Sequence, residues 1–301
     1  MNTNKLPKVA VLLAAYNGTQ WIEEQIESIL NQIKVAVTIF ISIDTSTDGT
    51  REFLEARYLD NNKIIILDDI EKLGGAAKNF YRLIRDVAFN EFDYISLSDQ
   101  DDIWNNDKLF NACKILSENN FKAYSSNVTA FWEDGKILLI DKAQNQTAYD
   151  HLFEAAGPGC TYILTVKLAL EVKSFIINKW SYVNKIELHD WLIYAYAREN
   201  NYKWYIDKKP SMMYRQHTIN VVGANTGINA KIKRLKMILS SWYRNETIKI
   251  INILGLENKF SLLIQNKTYL NNILLLRFVF NFRRRFKEKI FLSLLLLTGI
   301  Y

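Results

Sequence analysis

The sequence predicts an α/β protein with a mostly parallel β-sheet. Two observations support this prediction: short apolar runs alternate with helical patterns, and polar, turn-rich segments follow the apolar runs. The apolar runs are residues 9–14, 37–43, 63–67 and 94–98, and the helical patterns cover residues 21–30, 48–59 and 76–88. Strands that alternate with helices at this spacing are typical of βαβ units, in which neighbouring strands run parallel.

The middle of the chain has a more mixed pattern. Residues 121–131, 136–140 and 160–165 are predicted strands, residues 157–159 a turn, and residues 189–199 an amphipathic helix. We expect a boundary near residues 225–230. It would separate a first domain over residues 1–227 from a helical, basic region over residues 228–301.

Length and composition indicate a large, ordered core. The chain has 301 residues, of which 49% are hydrophobic, with only three prolines and eleven glycines. Cys113 and Cys160 lack the spacing of metal ligands, so we expect reduced thiols in a cytosolic protein. The N-terminus lacks the apolar core of a signal peptide, and no run reaches the ~18 apolar residues that a membrane span needs.

Charge is distributed unevenly along the chain. Residues 231–301 contain fourteen Lys and Arg against three Asp and Glu, a net charge of +11, whereas residues 1–230 carry −5. Cations and apolar residues interleave in this basic part, which ends in twelve uncharged residues. The pattern favours binding in the plane of an anionic membrane surface. A helical bundle with a solvated face or a dimer contact is the alternative, and no motif supports nucleic acid as the partner.

Three polar segments follow predicted strands and should meet at one edge of the sheet. They are residues 15–18, 44–48 and 99–102. The last contains Asp99, Asp101 and Asp102, whose carboxylates repel one another and resist burial. A hard divalent cation that bridges to a substrate's phosphates fits them, whereas a solvated acidic turn before a helix is the alternative. Convergence of the three segments favours the cation.

These segments resemble family 2 glycosyltransferases, which have the GT-A fold. Residues 11–18 (VLLAAYNG) resemble the first strand and donor-binding turn, and residues 25–32 (QIESILNQ) the following helix. Residues 44–50 (DTSTDGT) resemble the second-strand motif, although Ile43 replaces the first of its usual paired Asp residues, and residues 99–101 (DQD) are similar to the DxD motif. Residues 187–191 (ELHDW) resemble the segment that carries the acidic catalytic base, and residues 214–223 (YRQHTINVVG) resemble the ending of bacterial O-antigen and capsule rhamnosyltransferases.

The resemblance implies a role for each matching residue. Asp190 is implied as the general base, with the alternative that it only caps its helix, and a helix start should keep it ionised. Donor-nucleotide contacts are implied for Ala14, Tyr16, Asn17, Asp44, Ser46 and Asp99, although Asn17 and Ser46 also suit turn formation. Metal ligands are implied at Asp99, Asp101 and His217, and a diphosphate contact at Arg215, with a structural His and an ion pair as the respective alternatives.

The resemblance implies an inverting glycosyltransferase that depends on Mg²⁺ or Mn²⁺. We expect it to transfer L-rhamnose from dTDP-L-rhamnose to an undecaprenyl-diphosphate-linked oligosaccharide in O-antigen synthesis, at the cytoplasmic face of the membrane. Another family 2 hexosyl- or galactofuranosyltransferase is the alternative. A nucleotidyltransferase should carry a basic, glycine-rich loop after the first strand, which this chain lacks. A non-catalytic scaffold would not need Asp190.

Overall fold

The computed structural model describes residues 5–68, 72–217, 228–257 and 260–301. Eleven strands lie in this part of the chain: β1 Lys8–Ala15, β2 Ala36–Ile43, β3 Ile64–Ile66, β4 Tyr94–Ser98, β5 Ile103–Trp104, β6 Ala123–Ser126, β7 Val128–Phe131, β8 Ile137–Ile140, β9 Ile163–Thr165, β10 Trp204–Asp207 and β11 Met212–Arg215. The α-helices there are α1 Ile22–Leu30, α2 Thr50–Tyr58, α3 Ala76–Asp86, α4 Lys108–Glu118, α5 Val166–Asn178, α6 Trp180–Val183, α7 His189–Glu199, α8 Ile228–Leu239, α9 Trp242–Leu254, α10 Ser261–Gln265, α11 Tyr269–Leu275, α12 Val279–Phe282 and α13 Phe286–Leu297.

The main sheet has seven strands in the order β10-β6-β9-β4-β1-β2-β3, and only β9 runs antiparallel to its neighbours. The prediction of an α/β protein with a mostly parallel sheet is therefore confirmed. The register places Ala15 opposite Ile43 and Leu13 opposite Ser98. Strands β1, β2 and β4 consequently end at one edge, which brings the three polar segments together.

A second, four-stranded sheet has the order β5-β11-β7-β8. The chain crosses from the first sheet to the second at Asn127, so the predicted strand over 121–131 is two strands. Asn127 occupies the crossing because its side chain bonds Asp141, the Lys208 carbonyl and the amides of Lys142 and Ala143. The predicted strand at 160–165 is also shorter, since its first part is a 3₁₀ turn over Gly159–Thr161.

Strand β1 is buried on both faces, which explains its continuous apolar run. Val9, Val11 and Leu13 face one core cluster with helices α1, α2 and α4. Ala10 and Leu12 face a second cluster with α3, α5 and α7.

The C-terminal helices pack into this second cluster. Buried residues of α9 to α13, such as Ile250, Phe282 and Leu296, belong to the same apolar core as Leu12. The predicted division at residues 227 and 228 stays a prediction, because residues 218–227 lie outside the described residues. Within the described ranges, no helix is both long and apolar enough to cross a membrane.

Candidate active site

One cavity of about 810 Å³ lies at the carboxyl ends of β1, β2 and β4. Its lining includes seven of the ten residues predicted for the site, namely Ala14, Tyr16, Asp44, Asp99, Asp101, Asp190 and His217. Asn17, Ser46 and Arg215 are not among the described residues that line it; they support its walls. The geometry brings together segments separated by more than a hundred residues of sequence.

Asn17 and Ser46 connect the loops that follow β1 and β2. Asn17 has a left-handed backbone with φ of 47°, a conformation that asparagine tolerates. Its amide donates to Ser46 Oγ at 3.0 Å, and its Oδ1 accepts from the Thr47 amide at 2.8 Å. Both residues therefore form the turns; their contact with a donor stays a prediction.

Asp44 is buried at the end of β2 and fixes a neighbouring loop. Its two carboxylate oxygens accept hydrogen bonds from the amides of Leu73 and Gly74, each at 2.8 Å. The loop that these bonds hold supplies Lys72, Gly74 and Gly75 to the cavity wall. Recognition of a nucleotide base by Asp44 stays a prediction, and the structure adds that this residue orders the wall beside it.

The acidic cluster follows β4 and contacts β11. Asp101 Oδ2 lies 2.6 Å from His217 Nε2, and the His217 ring stacks on Trp21 with centroids 4.2 Å apart. Asp102 is fully buried and accepts a hydrogen bond from the Arg215 amide at 3.1 Å. The Arg215 side chain donates through Nε to the Asp101 carbonyl at 2.8 Å and pairs with Glu24. Arg215 thus anchors the cluster, and its contact with a diphosphate stays a prediction.

The electrostatics of this cluster favour a bound cation. Burial raises the pKa of Asp99, and repulsion by Asp101 adds to the rise. Burial also raises the pKa of Asp102, and repulsion by Asp101 and Asp99 adds to this rise. Its buried Oδ2 atom has no hydrogen-bond partner among the described residues. Asp99, Asp102 and Cys160 can bring one ligand atom each within 4.8 Å of one another. Because Mg²⁺ and Mn²⁺ prefer carboxylate oxygens, the aspartates of this site fit such an ion better than the thiol does.

A buried lysine lies beneath the cluster. Lys108 Nζ donates to the Cys160 carbonyl at 3.0 Å and lies 3.1 Å from the centroid of the Trp104 ring. Burial lowers the pKa of Lys108 to about 7, while Cys160, Asp102 and Asp99 oppose that shift. The burial of Lys108 could not be predicted, because a lysine in the first turn of an amphipathic helix is usually exposed.

Asp190 lies on the other side of the cavity, in the first turn of α7. Leu188, not Asp190, occupies the N-cap position, so the capping alternative is not observed. Asp190 Oδ1 accepts a hydrogen bond from the Trp191 amide at 2.8 Å. Burial raises the pKa of Asp190 to about 6, against the opposing effects of that amide and of the Lys142 charge. With this pKa the Asp190 carboxyl is still mostly ionised at neutral pH, although desolvation makes it more basic than an ordinary aspartate.

His189, the residue before Asp190, is packed against other side chains as a structural residue. Its ring stacks on Phe80 with centroids 4.0 Å apart, and burial lowers its pKa to about 3. The glycine of the adjacent turn is required sterically: a Cβ at Gly159 would lie 2.6 Å from His189 Nε2 and 3.1 Å from Asp190 Cβ. The turn at residues 157–159 therefore packs directly against His189 and Asp190.

The cavity continues beyond Asp190 into a region that sequence analysis did not predict. Its lining there comprises Leu138, Leu139, Lys142, Arg234, Arg285 and Glu288. Arg234 lies on helix α8, Arg285 immediately precedes helix α13, and Glu288 lies on α13. The basic C-terminal region thus forms part of the cavity wall.

Comparisons with known proteins agree with this architecture. The sequence profile described as "Glycosyl transferase family 2" matches residues 10–157. The dTDP-rhamnosyl transferase RfbG of Shigella flexneri is 48% identical over 290 residues, covering 96% of this chain and 100% of RfbG. This chain belongs to glycosyl transferase family 2. A more distant relative of this family 2 glycosyltransferase is the UDP-Glc:alpha-D-GlcNAc-diphosphoundecaprenol beta-1,3-glucosyltransferase WfgD of Escherichia coli, 23% identical over 64% of this chain and 71% of WfgD.

Solved structures confirm the GT-A fold of the family 2 enzyme. Residues 1–349 of Staphylococcus aureus TarS in complex with UDP superpose with a TM-score of 0.57 at 13% identity, covering 97% of this chain and 90% of that one. The Pyrobaculum calidifontis mannosyltransferase PcManGT, in complex with GDP-Man and Mn²⁺, gives a TM-score of 0.53 at 13% identity, covering 99% and 86%. At this identity the likeness concerns the fold alone.

Proposed function

We propose that this enzyme transfers L-rhamnose from dTDP-L-rhamnose, with inversion, to an undecaprenyl-diphosphate-linked oligosaccharide in O-antigen synthesis. The observation that carries the proposal is the pairing, in one cavity, of the acidic cluster at β4 with the separate carboxyl of Asp190. Identity of 48% to a dTDP-rhamnosyl transferase along its whole length supports the choice of sugar.

The two acidic groups have different tasks. The Asp190 carboxylate accepts the proton of the acceptor hydroxyl as its oxygen bonds to the anomeric carbon and the dTDP leaves. A pKa near 6 suits this task, because such a carboxylate is ionised at neutral pH yet more basic than an ordinary aspartate. The acidic cluster, by contrast, lies where the donor's diphosphate would bind.

The residues that hold the donor follow from the cavity lining. Asp99, Asp101 and His217 would hold a Mg²⁺ or Mn²⁺ ion, which when bound supplies positive charge against the leaving diphosphate. Tyr16, whose side chain is 47% exposed, and the loop ordered by Asp44 would enclose the nucleotide. Arg215 supports the diphosphate end through its bond to the Asp101 carbonyl.

The enzyme would meet its acceptor at the anionic inner face of the cytoplasmic membrane. Ile232, Leu235 and Leu239 are exposed on α8 at spacings of one helical face, next to exposed Arg234 and Lys236. On α13, Phe291 and Leu294 are also exposed, and the Arg234 guanidinium lies 5.9 Å from the Phe291 ring centroid. Two adjacent helices that combine exposed apolar and cationic side chains suit a lipid surface.

A donor screen tests the proposed reaction. Purified enzyme is incubated with a diphospholipid-linked GlcNAc acceptor and dTDP-L-rhamnose, UDP-glucose, UDP-GlcNAc or GDP-mannose, with Mg²⁺, Mn²⁺ or EDTA. Transfer from dTDP-L-rhamnose alone, abolished by EDTA, is expected. Preferential transfer of a hexose would contradict the donor assignment and favour a family 2 hexosyltransferase.

Vesicle flotation tests the membrane partner separately. Binding to phosphatidylglycerol vesicles, and not to phosphatidylcholine vesicles, is expected for the wild type. The L235E/L239E variant should lose it. Leu59, which is 77% exposed on α2, provides the matched control L59E, which should still bind. Equal flotation of L235E/L239E and wild type would refute the assignment of this surface.

A further inference from the structure

The part of the cavity beyond Asp190 contains cationic side chains that have no role in the proposed reaction as described above. Lys142 is half-buried there, and its ammonium group makes no hydrogen bond or ion pair with the residues that the structure describes. Its charge lowers the pKa of Asp190, so it lies within electrostatic reach of the base. A cation placed in this way is available to a ligand that also reaches Asp190.

Two arginines from the C-terminal region join Lys142 in this lining. Arg285 is half-buried, and its one hydrogen bond with a described residue goes to the Asp141 carbonyl, which leaves most of its five N–H donors for a ligand. Arg234 is exposed and, within the described residues, has the Phe291 ring as its contact. All three cationic side chains therefore have N–H donors available for a ligand.

The carboxylates of this region are mostly engaged elsewhere. Glu154 accepts a hydrogen bond from the Arg284 amide at 2.6 Å and lies 3.4 Å from its guanidinium. Asp141 accepts from Asn127, the Ala143 amide and Gln144. Glu288 remains, and Lys142, Arg283, Arg234 and Arg285 all lower its pKa. The three cations of the lining thus act electrostatically on Glu288, whereas Asp141 and Glu154 are already hydrogen-bonded to other groups.

Apolar side chains flank these cations. Leu138 and Leu139 are exposed on β8 and line the same cavity. Phe291 contacts Arg234, and apolar residues of α8 next to Arg234 are exposed. The region thus combines cationic and apolar side chains, and this combination suits a ligand in which an anion is attached to a lipid.

We infer that Lys142, Arg234 and Arg285 bind the diphosphate of a lipid-linked sugar acceptor while the acceptor's hydroxyl lies at Asp190. The inference rests on the proposed function and names a part of its site. Because Lys142 and Asp190 line the same cavity of about 810 Å³, few sugars separate the accepting hydroxyl from the diphosphate. The preferred acceptor is consequently a short glycan on its lipid diphosphate.

Acceptor kinetics test this site with whichever nucleotide sugar the enzyme uses, so failure of the rhamnose assignment does not affect the result. The probes are GlcNAc-diphosphoryl-undecane and its neutral counterpart, undecyl GlcNAc, in detergent without phospholipid. Wild type should prefer the diphosphate by about tenfold or more in kcat/KM, the scale of one charged hydrogen bond. The variants K142Q and R285Q should lose most of this preference with an unchanged donor KM, whereas E288Q should lower the acceptor KM.

Lys287, exposed beside Glu288 and not part of the described lining, provides the control K287Q, which should behave like wild type. Equal use of the two probes by wild type, or full preference in K142Q/R285Q, would overturn the inference. Flotation on phosphatidylglycerol vesicles separates the two sources of phosphate. If K142Q/R285Q lost vesicle binding but kept its acceptor preference, the cations would serve membrane headgroups, which also refutes the site.

Discussion

Gln100 makes two hydrogen bonds to the main chain of Tyr16. Its Oε1 accepts from the Tyr16 amide and its Nε2 donates to the Tyr16 carbonyl, each at 2.8 Å. The middle residue of the DQD segment thereby joins the acidic cluster to the loop after β1. Gly18 belongs to the same contact, since a Cβ there would lie 2.4 Å from Gln100 Oε1. The two walls of the donor side consequently hold each other in place.

The variant Q100A removes this connection without touching a carboxylate. We expect the free energy of unfolding to fall by about 1–2 kcal/mol, for two partly exposed hydrogen bonds. The donor KM should rise several-fold, while kcat changes less. Denaturant unfolding and initial rates measure both quantities. An unchanged donor KM in Q100A would show that the loop needs no such support.

The pH dependence of the reaction should report Asp190. Since its pKa is raised to about 6 and its ionised form is the proposed base, kcat/KM should fall about tenfold per pH unit below that value. The positive charge of Lys142 lowers the pKa of Asp190. The variant K142M should therefore move the acidic limb to higher pH. Rates are measured at saturating metal and acceptor. If the acidic limb of K142M stayed where it is in the wild type, the limb would report the titration of a group other than Asp190.

Gly159 should tolerate no side chain. In G159A the new Cβ would press on His189 and Asp190, both of which are half-buried in the cavity wall, so kcat should fall by tenfold or more. Replacing His189 as well removes the closer contact, and G159A/H189A should recover part of the lost activity. Circular dichroism controls for unfolding. Full activity in G159A would mean that the turn does not position the base.

Arg284 should anchor the C-terminal helices. Its fully buried guanidinium lies 2.9 Å from Asp150 Oδ2 and donates to the Ala155 carbonyl. The variant R284M leaves the buried Asp150 and Glu154 without this partner and should lower the free energy of unfolding by about 3–5 kcal/mol. K287M, a change at an exposed lysine nearby, should cost less than about 0.5 kcal/mol. Equal denaturation midpoints of the two variants would contradict the anchoring role.

Local sequence was sufficient for the donor side of the site. Asp44 and Asp99 come directly after apolar strands, and the edge where parallel strands end is set by topology, so their convergence could be predicted. Asp190 was accessible only through resemblance, because nothing in its own segment separates a base from a helix-start aspartate. Its raised pKa depends on burial in the assembled fold, which a helix-dipole argument does not capture.

The far side of the cavity could not be predicted for a related reason. Lys142, Arg234 and Arg285 come from distant segments that meet only after the C-terminal helices dock on the core. In the sequence, the two arginines belong to a basic region whose composition indicates a surface. The strand break at Asn127 was missed similarly, since its cause is a set of hydrogen bonds to residues 141–143 and 208.

The most direct test of the account is the rate of sugar transfer by D190N, measured in a single turnover with bound donor. Calorimetric titration first establishes that donor affinity is unchanged, because Asp190 does not bind the nucleotide in this account. The expected result is a transfer rate at least a hundredfold below wild type, the scale of a lost general base, that no longer depends on pH near 6. Transfer at the wild-type rate with normal donor binding would contradict the assignment of Asp190 as the base.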